Sequence, residues 1–164
     1  MNDPAERPDL SSDRARYAGL PTAEFEFPGP LRDRLVAAIL DGTKTSTTGL
    51  LAAYRQEGDP LPVVGGRELV VDSAGRGVCV IEMTEVRVEP KREVDLQFAI
   101  DEGEGATTVD EWWRVHVAFF ESREMREVLG DPDFTVDDST ELVLLRFRVA
   151  ERLDGEARRP IIGA

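Results

Sequence analysis

A single lysine lies among hydroxyl side chains in the segment TKTSTT, residues 43–48. Lys44 and Thr47 are three residues apart, and at that spacing in a turn both side chains can face the same space. A threonine hydroxyl is a poor nucleophile until a base removes its proton, and a lysine can be that base when burial or a nearby cation lowers its pKa. The segment therefore has the residue types for acyl transfer, in which Thr47 attacks a carbonyl, Lys44 accepts the proton and backbone N–H groups of the turn hold the oxyanion.

A structural role for the same segment is the alternative. The segment follows an apolar stretch with helical periodicity, for which Gly42 is a plausible C-terminal cap. A lysine after a helix C-terminus interacts favourably with the helix dipole, and Ser and Thr side chains satisfy loop carbonyls. We assign such structural roles to Thr43, Thr45 and Thr48, and keep Ser46 as a ligand contact.

The elements that must position this segment follow from apolar periodicity. Helical spacing predicts helices within residues 31–40, 49–58, 92–103 and 109–120. Runs rich in β-branched residues predict strands at 67–72, 78–89 and 141–153, and the stretch 25–30 predicts a short strand and a turn. The first two of those longer strands form an antiparallel hairpin, and residues 130–140 form a polar connection. This mixture predicts an α+β fold, with a small, mostly antiparallel β-barrel or curved sheet and flanking helices.

In the last strand, alternation predicts that the residues facing one side are Val143, Leu145, Phe147 and Val149.

Composition limits the class of partner. The chain has 164 residues and a formal net charge of −13. Nucleic-acid binders usually cluster Lys and Arg, so this acidity disfavours a broad duplex-binding surface and favours a small substrate or a local RNA contact. The sequence has no apolar run of about 18 residues and no N-terminal apolar signal core, so we expect no membrane span and a cytoplasmic location.

The chain divides into one domain with two extensions. Residues 1–24 are rich in Asp, Arg, Pro and Ser, and predict a poorly ordered arm. Residues 25–150 form the domain, and residues 151–164 form a tail.

The only histidine, His116, lies on the apolar face of the 109–120 helix. We interpret it as a core residue, with ligand contact as the alternative. Cys79 is the only cysteine, and we place it in a buried strand. With one residue of each kind, neither a transition-metal site nor a cofactor is expected. Adjacent helix positions point about 100° apart, so we place Trp113 in the core and Trp112 at the cleft, where its ring can stack on a base.

Several blocks together resemble the ASCH (activating signal cointegrator homology) domain. These are LVAAILDGTKTSTTGLL, then an apolar hairpin, then A-x-x-E-G-E-G and W-x-x-H-x-x-F-F, and they span about residues 25–150. The resemblance implies a PUA-like β-barrel with flanking helices, and a cleft beside the barrel that binds single-stranded RNA or a modified nucleoside. Some small bacterial members hydrolyse the amide of N4-acetylcytidine, and ribonuclease activity is attributed to others.

The resemblance also implies site residues. The amidohydrolase-like members use a Lys, a Thr three residues later and a Glu after the hairpin, which correspond here to Lys44, Thr47 and Glu102, with Glu104 as second choice. Glu102 would protonate the leaving amine, and a variant in which water attacks needs the same three residues. A carboxylate beside Lys44 would also fit a simple ion pair. Arg67 is a candidate phosphate contact.

Three functions remain open at this point. The first is a module that binds RNA or a nucleoside, with or without hydrolysis. The second is a nucleoside amidohydrolase of the N4-acetylcytidine type, and the third is a metal-independent ribonuclease.

Overall fold

The computed structural model describes residues 16–153. Its centre is a five-stranded mixed sheet with the strand order β1-β3-β4-β5-β2. The strands are β1 (Thr22–Ala23), β2 (Ser46–Leu50), β3 (Arg67–Val71), β4 (Gly77–Pro90) and β5 (Glu141–Arg152). β1 pairs with β3 in parallel, and the other neighbouring strands pair antiparallel. The predicted hairpin is confirmed as β3 and β4.

Helices flank both faces of the sheet. They are α1 (Pro30–Asp41), α2 (Leu51–Glu57), α3 (Leu96–Asp101), α4 (Val109–Phe120) and α5 (Arg123–Leu129). α3, α4 and α5 begin at N-cap residues whose side chains accept a hydrogen bond from a backbone N–H of the first turn. These N-cap residues are Asp95, Thr108 and Ser122. The predictions of α1 to α4 are confirmed, and α5 is an element that the periodicity did not indicate.

β5 separates two hydrophobic clusters because its residues alternate between the two faces of the sheet. The face predicted from alternation is confirmed: Val143, Leu145, Phe147 and Val149 pack in the cluster that contains the apolar residues of α1. On the opposite face, Leu142 and Leu144 pack with Phe98 of α3 and with Trp112 and Phe120 of α4. The sheet thus fixes α1 on one side and α3 and α4 on the other.

The predicted barrel is not closed among the described residues. β1 and β2 are the two edges of the sheet and do not pair with each other. β1 has only two residues and β2 only five, whereas closure requires edge strands long enough to exchange hydrogen bonds across a tilted seam. The α+β assignment holds, with an open sheet in place of the barrel.

Two local predictions were wrong. Residues 46–48 were expected in a turn and residues 49 and 50 at the start of a helix, but all five form β2 because they pair with β5 over Ser46–Leu50. The short strand expected from residue 25 lies earlier, at β1, and residues 25–28 form a bend instead. The bend is held by Arg32, whose guanidinium donates to the carbonyls of Phe25 and Glu26.

The predicted arm and tail lie largely outside the described residues. Within residues 16–24, β1 belongs to the sheet, and the Tyr17 hydroxyl donates a hydrogen bond to Glu151 near the end of β5. None of the helices within residues 16–153 has the length and apolar character needed to cross a membrane.

Candidate functional site

An open cleft of about 880 Å³ lies beside the sheet. Its walls come from the bend at residues 25–28, from β2 and α2, from the loop at residues 59–63, and from α4 with the turn before it. Aromatic side chains on these walls give it an apolar surface, and they are Phe25, Phe27, Tyr54, Phe119 and Phe120. The cleft is large enough for a nucleoside-sized ligand.

Lys44 lies at the floor of this cleft and is only 2% exposed. Its backbone N–H donates to the carbonyl of Ala38 in the last turn of α1, which fixes where the side chain begins. The ammonium donates to the carbonyl of Ser46 at 2.9 Å and to that of Glu102 at 3.2 Å. It also lies 3.8 Å from Glu102 Oε2. These contacts occupy the ammonium with protein acceptors and make it a fixed cation.

The Glu102 backbone is brought to Lys44 by the end of α3. Arg146 of β5 pairs with Asp101 at 2.6 Å and holds this end of the helix against the sheet. Gly103, which follows Glu102, has φ +72°, and a Cβ on this residue would lie 2.6 Å from the carbonyl oxygen of Thr43. Only glycine permits this approach, so Gly103 lets the turn after α3 pack directly on the backbone before Lys44.

The Glu102 carboxylate is the centre of the floor and is 1% exposed. Oε1 accepts a hydrogen bond from the Thr48 hydroxyl, and Oε2 lies 3.0 Å from His116 Nε2. Both carboxylate oxygens are therefore engaged by neighbours from β2 and α4.

The ring of His116 is oriented by its own helix. Nδ1 lies 2.8 Å from the carbonyl oxygen of Trp112, and a carbonyl can only accept, so Nδ1 carries a hydrogen. Nε2 faces the carboxylate of Glu102, which is also an acceptor when ionised. A second proton on Nε2 satisfies both contacts, so the ring is an imidazolium.

Burial and charge oppose each other in this cluster. Burial alone would raise the pKa of Glu102, but the charges of His116 and Lys44, with hydrogen bonds from His116 and Thr48, lower it to about 2. Burial alone would lower the pKa of His116, but the Glu102 carboxylate raises it above its ordinary 6.5. The Glu102 carboxylate thus lies between the Lys44 ammonium and the His116 ring, and it favours the protonated form of that ring.

Every cation that lines the cleft among the described residues has protein partners. Arg32 binds the two carbonyls of the 25–28 bend, and Lys44 and His116 contact Glu102. Arg67, on the rim, pairs with Glu82 at 3.1 Å. The acids that line the cleft are more numerous, namely Glu24, Glu26, Glu57, Asp59, Glu68, Glu102 and Glu104. Burial, and then the nearby Glu104 carboxylate, raise the pKa of Glu26. The cleft is consequently acidic.

Most of the residues predicted as site residues meet in this cleft. Those that line it are Lys44, Thr47, Arg67, Glu102, Glu104 and His116. Glu102 rather than Glu104 contacts the lysine, and Glu104 lies exposed beside it.

Two predicted ligand contacts do not line the cleft. Ser46 is buried and donates its hydroxyl to the carbonyl of Phe98 at 3.0 Å. Trp112 is buried in the core, with its ring centroid 4.4 Å from that of His116, so its faces are not accessible to a base. Trp113 is the more exposed of the two tryptophans.

Two contributors to the site were not predicted from the sequence: Thr48, and the bend at residues 25–28 that Arg32 holds. Ser46 and Thr48 both direct their hydroxyls toward residues 98–102, as alternate residues of a strand do. A strand assignment for residues 46–50 would have found Thr48. No local signal indicated that Arg32, on a helix, would be buried and would shape the cleft wall.

Comparison with known proteins agrees with this architecture. A family model described as the ASCH domain matches residues 24–151. A solved ASCH domain from Lactobacillus crispatus is 30% identical, with a TM-score of 0.68, over 85% of this chain and 84% of that one. A DUF984-family protein from Enterococcus faecalis is 24% identical, with a TM-score of 0.69, over 84% of this chain and 83% of that one. No curated protein matches the chain.

Proposed function

The chain belongs to the ASCH domain family, and we propose that its cleft binds a modified nucleoside through the base and sugar, not through phosphate groups. The observation that carries this proposal is the pairing of the cations. Arg32, Lys44, Arg67 and His116 already have protein partners. A phosphate at Lys44 or His116 would have to break a buried charged contact, which is costly. Arg67 is half exposed, and its surface pair with Glu82 is a weak barrier by comparison.

The acidic side chains around the cleft also favour a neutral nucleoside over a phosphate-bearing ligand. They repel a phosphate, whereas carboxylates such as Glu104 can accept hydrogen bonds from the amino or hydroxyl groups of a neutral nucleoside. The aromatic side chains supply apolar surface for the base. Phe27 is exposed and lies edge-on against Phe119, with the ring centroids 5.5 Å apart. Such surfaces accept nucleobases through their π-faces.

Calorimetric titration with matched ligands tests this proposal. The ligands are N4-acetylcytidine, cytidine, cytidine 5′-monophosphate and a short single-stranded RNA, each at low and at high salt. We expect a nucleoside to bind more tightly than the monophosphate, with little dependence on salt. Tighter binding of the monophosphate or the RNA, falling steeply with added salt, would overturn the proposal in favour of a phosphate-dominated contact.

A charge-removal variant sharpens the same experiment. Glu104→Gln removes one carboxylate from the wall and keeps its shape. If acidity excludes phosphate, the ratio of nucleoside affinity to monophosphate affinity falls in this variant. Glu127→Gln is the matched control, because Glu127 pairs with Arg123 on α5 and does not line the cleft.

Amide hydrolysis of the bound nucleoside is the second candidate, and the Thr48–Glu102 hydrogen bond favours it. Thr48 Oγ1 would attack the acetyl carbon while its proton passes to Glu102. The C–N bond then breaks, the proton passes to the departing cytosine amine, and water cleaves the acetyl ester to restore the hydroxyl. In this scheme Lys44 is not the base and stabilises developing charge, because its side chain already donates to the carbonyls of Ser46 and Glu102.

The hydrolytic candidate is tested by following N4-acetylcytidine to cytidine and acetate by chromatography. Thr48→Val should abolish turnover, and Thr47→Val should retain it if Thr48 is the nucleophile. The opposite pattern would return the role to Thr47, and turnover unchanged in both variants would rule out a threonyl ester. A metal-independent ribonuclease is less well supported, because among the described cations of the lining Arg32, Lys44 and His116 are buried on protein partners and only Arg67 is exposed to a phosphate.

A further inference from the structure

We propose that Glu102, Glu104 and His116 form a binding site for a divalent first-row transition-metal ion at the floor of the cleft. One ligand atom from each residue lies within 4.8 Å of the others. All three residues line the cleft, so an ion bound there would face the open space. This proposal does not depend on nucleoside binding.

The orientation of His116 is the first observation that supports a metal. Metal-binding histidines usually donate their other ring N–H to a carbonyl or carboxylate, which fixes the tautomer. Here Nδ1 donates to the carbonyl of Trp112 at 2.8 Å, so Nε2 is the ring atom that can bind an ion, in exchange for the proton that it shares with Glu102. Trp112 is not part of the cluster, and its carbonyl is fixed within α4.

The spacing of His116 and Glu102 is the second observation. Nε2 and Oε2 are 3.0 Å apart. Two ligands at right angles on an ion with bonds of about 2.0–2.2 Å are themselves about 3 Å apart. The same two atoms can therefore hold either a proton or a metal ion without a change in the position of α4.

The two carboxylates complete the set in different ways. Glu102 is held by the Thr48 hydroxyl at Oε1, which leaves Oε2 directed at the cluster. Glu104 forms no hydrogen bond or ion pair with any of residues 16–153 and is exposed, so its carboxylate can move onto an ion. One imidazole and two carboxylates leave coordination positions open for water from the cleft.

The charge of Lys44 and the types of ligand together determine which ions can bind. The Lys44 ammonium lies 3.8 Å from Glu102 Oε2, and its charge weakens the binding of any cation at that oxygen. The two carboxylates offset part of this positive charge. The imidazole nitrogen favours ions such as Co²⁺ or Zn²⁺ over Mg²⁺, because Mg²⁺ prefers oxygen ligands and retains its bound water. The sequence argued against a metal because it contains one histidine and one cysteine, but carboxylates supply the missing ligands.

Titration of the metal-stripped protein with Co²⁺, Zn²⁺ and Mg²⁺, without any nucleoside, tests the proposal by calorimetry and by the visible absorption of Co²⁺. We expect one Co²⁺ or Zn²⁺ per chain, and no competition from Mg²⁺ at the same concentration. Glu104→Gln should weaken Co²⁺ binding at least about tenfold. Loss of a residue that only supports a metal ligand already lowers metal affinity by about that factor, and loss of a ligand itself should lower it at least as much. The control Glu57→Gln removes a carboxylate from the same cleft, outside the cluster, and should change the affinity less than twofold.

Three results would overturn this site: no saturable binding, an equal loss in Glu57→Gln, or full affinity in Glu104→Gln. Because Glu104 is exposed, its variant should fold, and circular dichroism with urea unfolding verifies this. Failure of nucleoside binding would leave the metal result unaffected, so the two proposals fail separately.

Discussion

Replacing Lys44 by methionine removes the buried ammonium while keeping an unbranched side chain of similar length. The substitution leaves the carbonyls of Ser46 and Glu102 without this donor, at 2.9 and 3.2 Å, and takes one of two cations from the Glu102 carboxylate. Removing one partner of a buried charged pair costs about 3–5 kcal/mol. Glu102 keeps His116 and Thr48, so we expect a loss of about 3 kcal/mol, a large share of the 5–15 kcal/mol typical of a domain.

Urea unfolding followed by tryptophan fluorescence measures this loss as a lower midpoint at constant slope. Lys44→Met should lower the free energy of unfolding less in a Glu102→Gln background, because no buried carboxylate is then left without its cation. The double-mutant cycle should give a coupling free energy of about 1–3 kcal/mol. Arg123→Met is the control, because Arg123 and Glu127 form an exposed ion pair on α5 at 2.9 Å, and such pairs contribute about 0–1 kcal/mol. Equal losses in both backgrounds, or a loss no larger than that of the control, would refute the reasoning.

Three further predictions follow from the same cluster. Gly103→Ala should destabilise the fold by at least about 2 kcal/mol in urea unfolding, because its Cβ would clash with backbone at 2.6 Å, whereas Gly105→Ala, which has a similar positive φ but open space, should cost about 1 kcal/mol. Arg32→Met should lower stability by about 1–3 kcal/mol, because two carbonyls lose their donor, and should weaken nucleoside binding in calorimetry. Stability of the protein in a chelating buffer should depend on pH in both directions. The raised pKa of His116 gives stability that is complete below 6.5 and is lost as pH rises through the folded value, and the lowered pKa of Glu102 gives stability that is complete above 4.5 and is lost as pH falls toward about 2. Glu102→Gln should flatten both slopes, and an unchanged profile would contradict the assigned charges.

The extent to which sequence predicted the structure depended on how local each feature is. The apolar stripes of α1 and α4 and the alternation in β5 are local patterns, and all three elements formed as expected. β2 was missed because its pairing partner, β5, lies near the other end of the described chain, and a Thr- and Ser-rich segment resembles a turn until that pairing is known.

The same limit applies to the candidate site. Lys44 and Glu102 were identified through their sequence blocks, and they contact each other. Which of Thr47 and Thr48 reaches Glu102 depends on the strand, and which of two adjacent tryptophans is buried depends on how α4 is rotated against the sheet. Neither choice has a local signal in the sequence.

The nitrogen resonances of His116 provide the most direct test of the buried charge cluster. His116 is the only histidine, so the ring signals of the ¹⁵N-labelled protein are unambiguous. In a chelating buffer at neutral pH we predict that both ring nitrogens are protonated, and that the signals shift on addition of nucleoside but not of the same concentration of inorganic phosphate. A neutral ring at that pH, or signals that move with phosphate, would contradict a cleft whose cations are already neutralised by the protein.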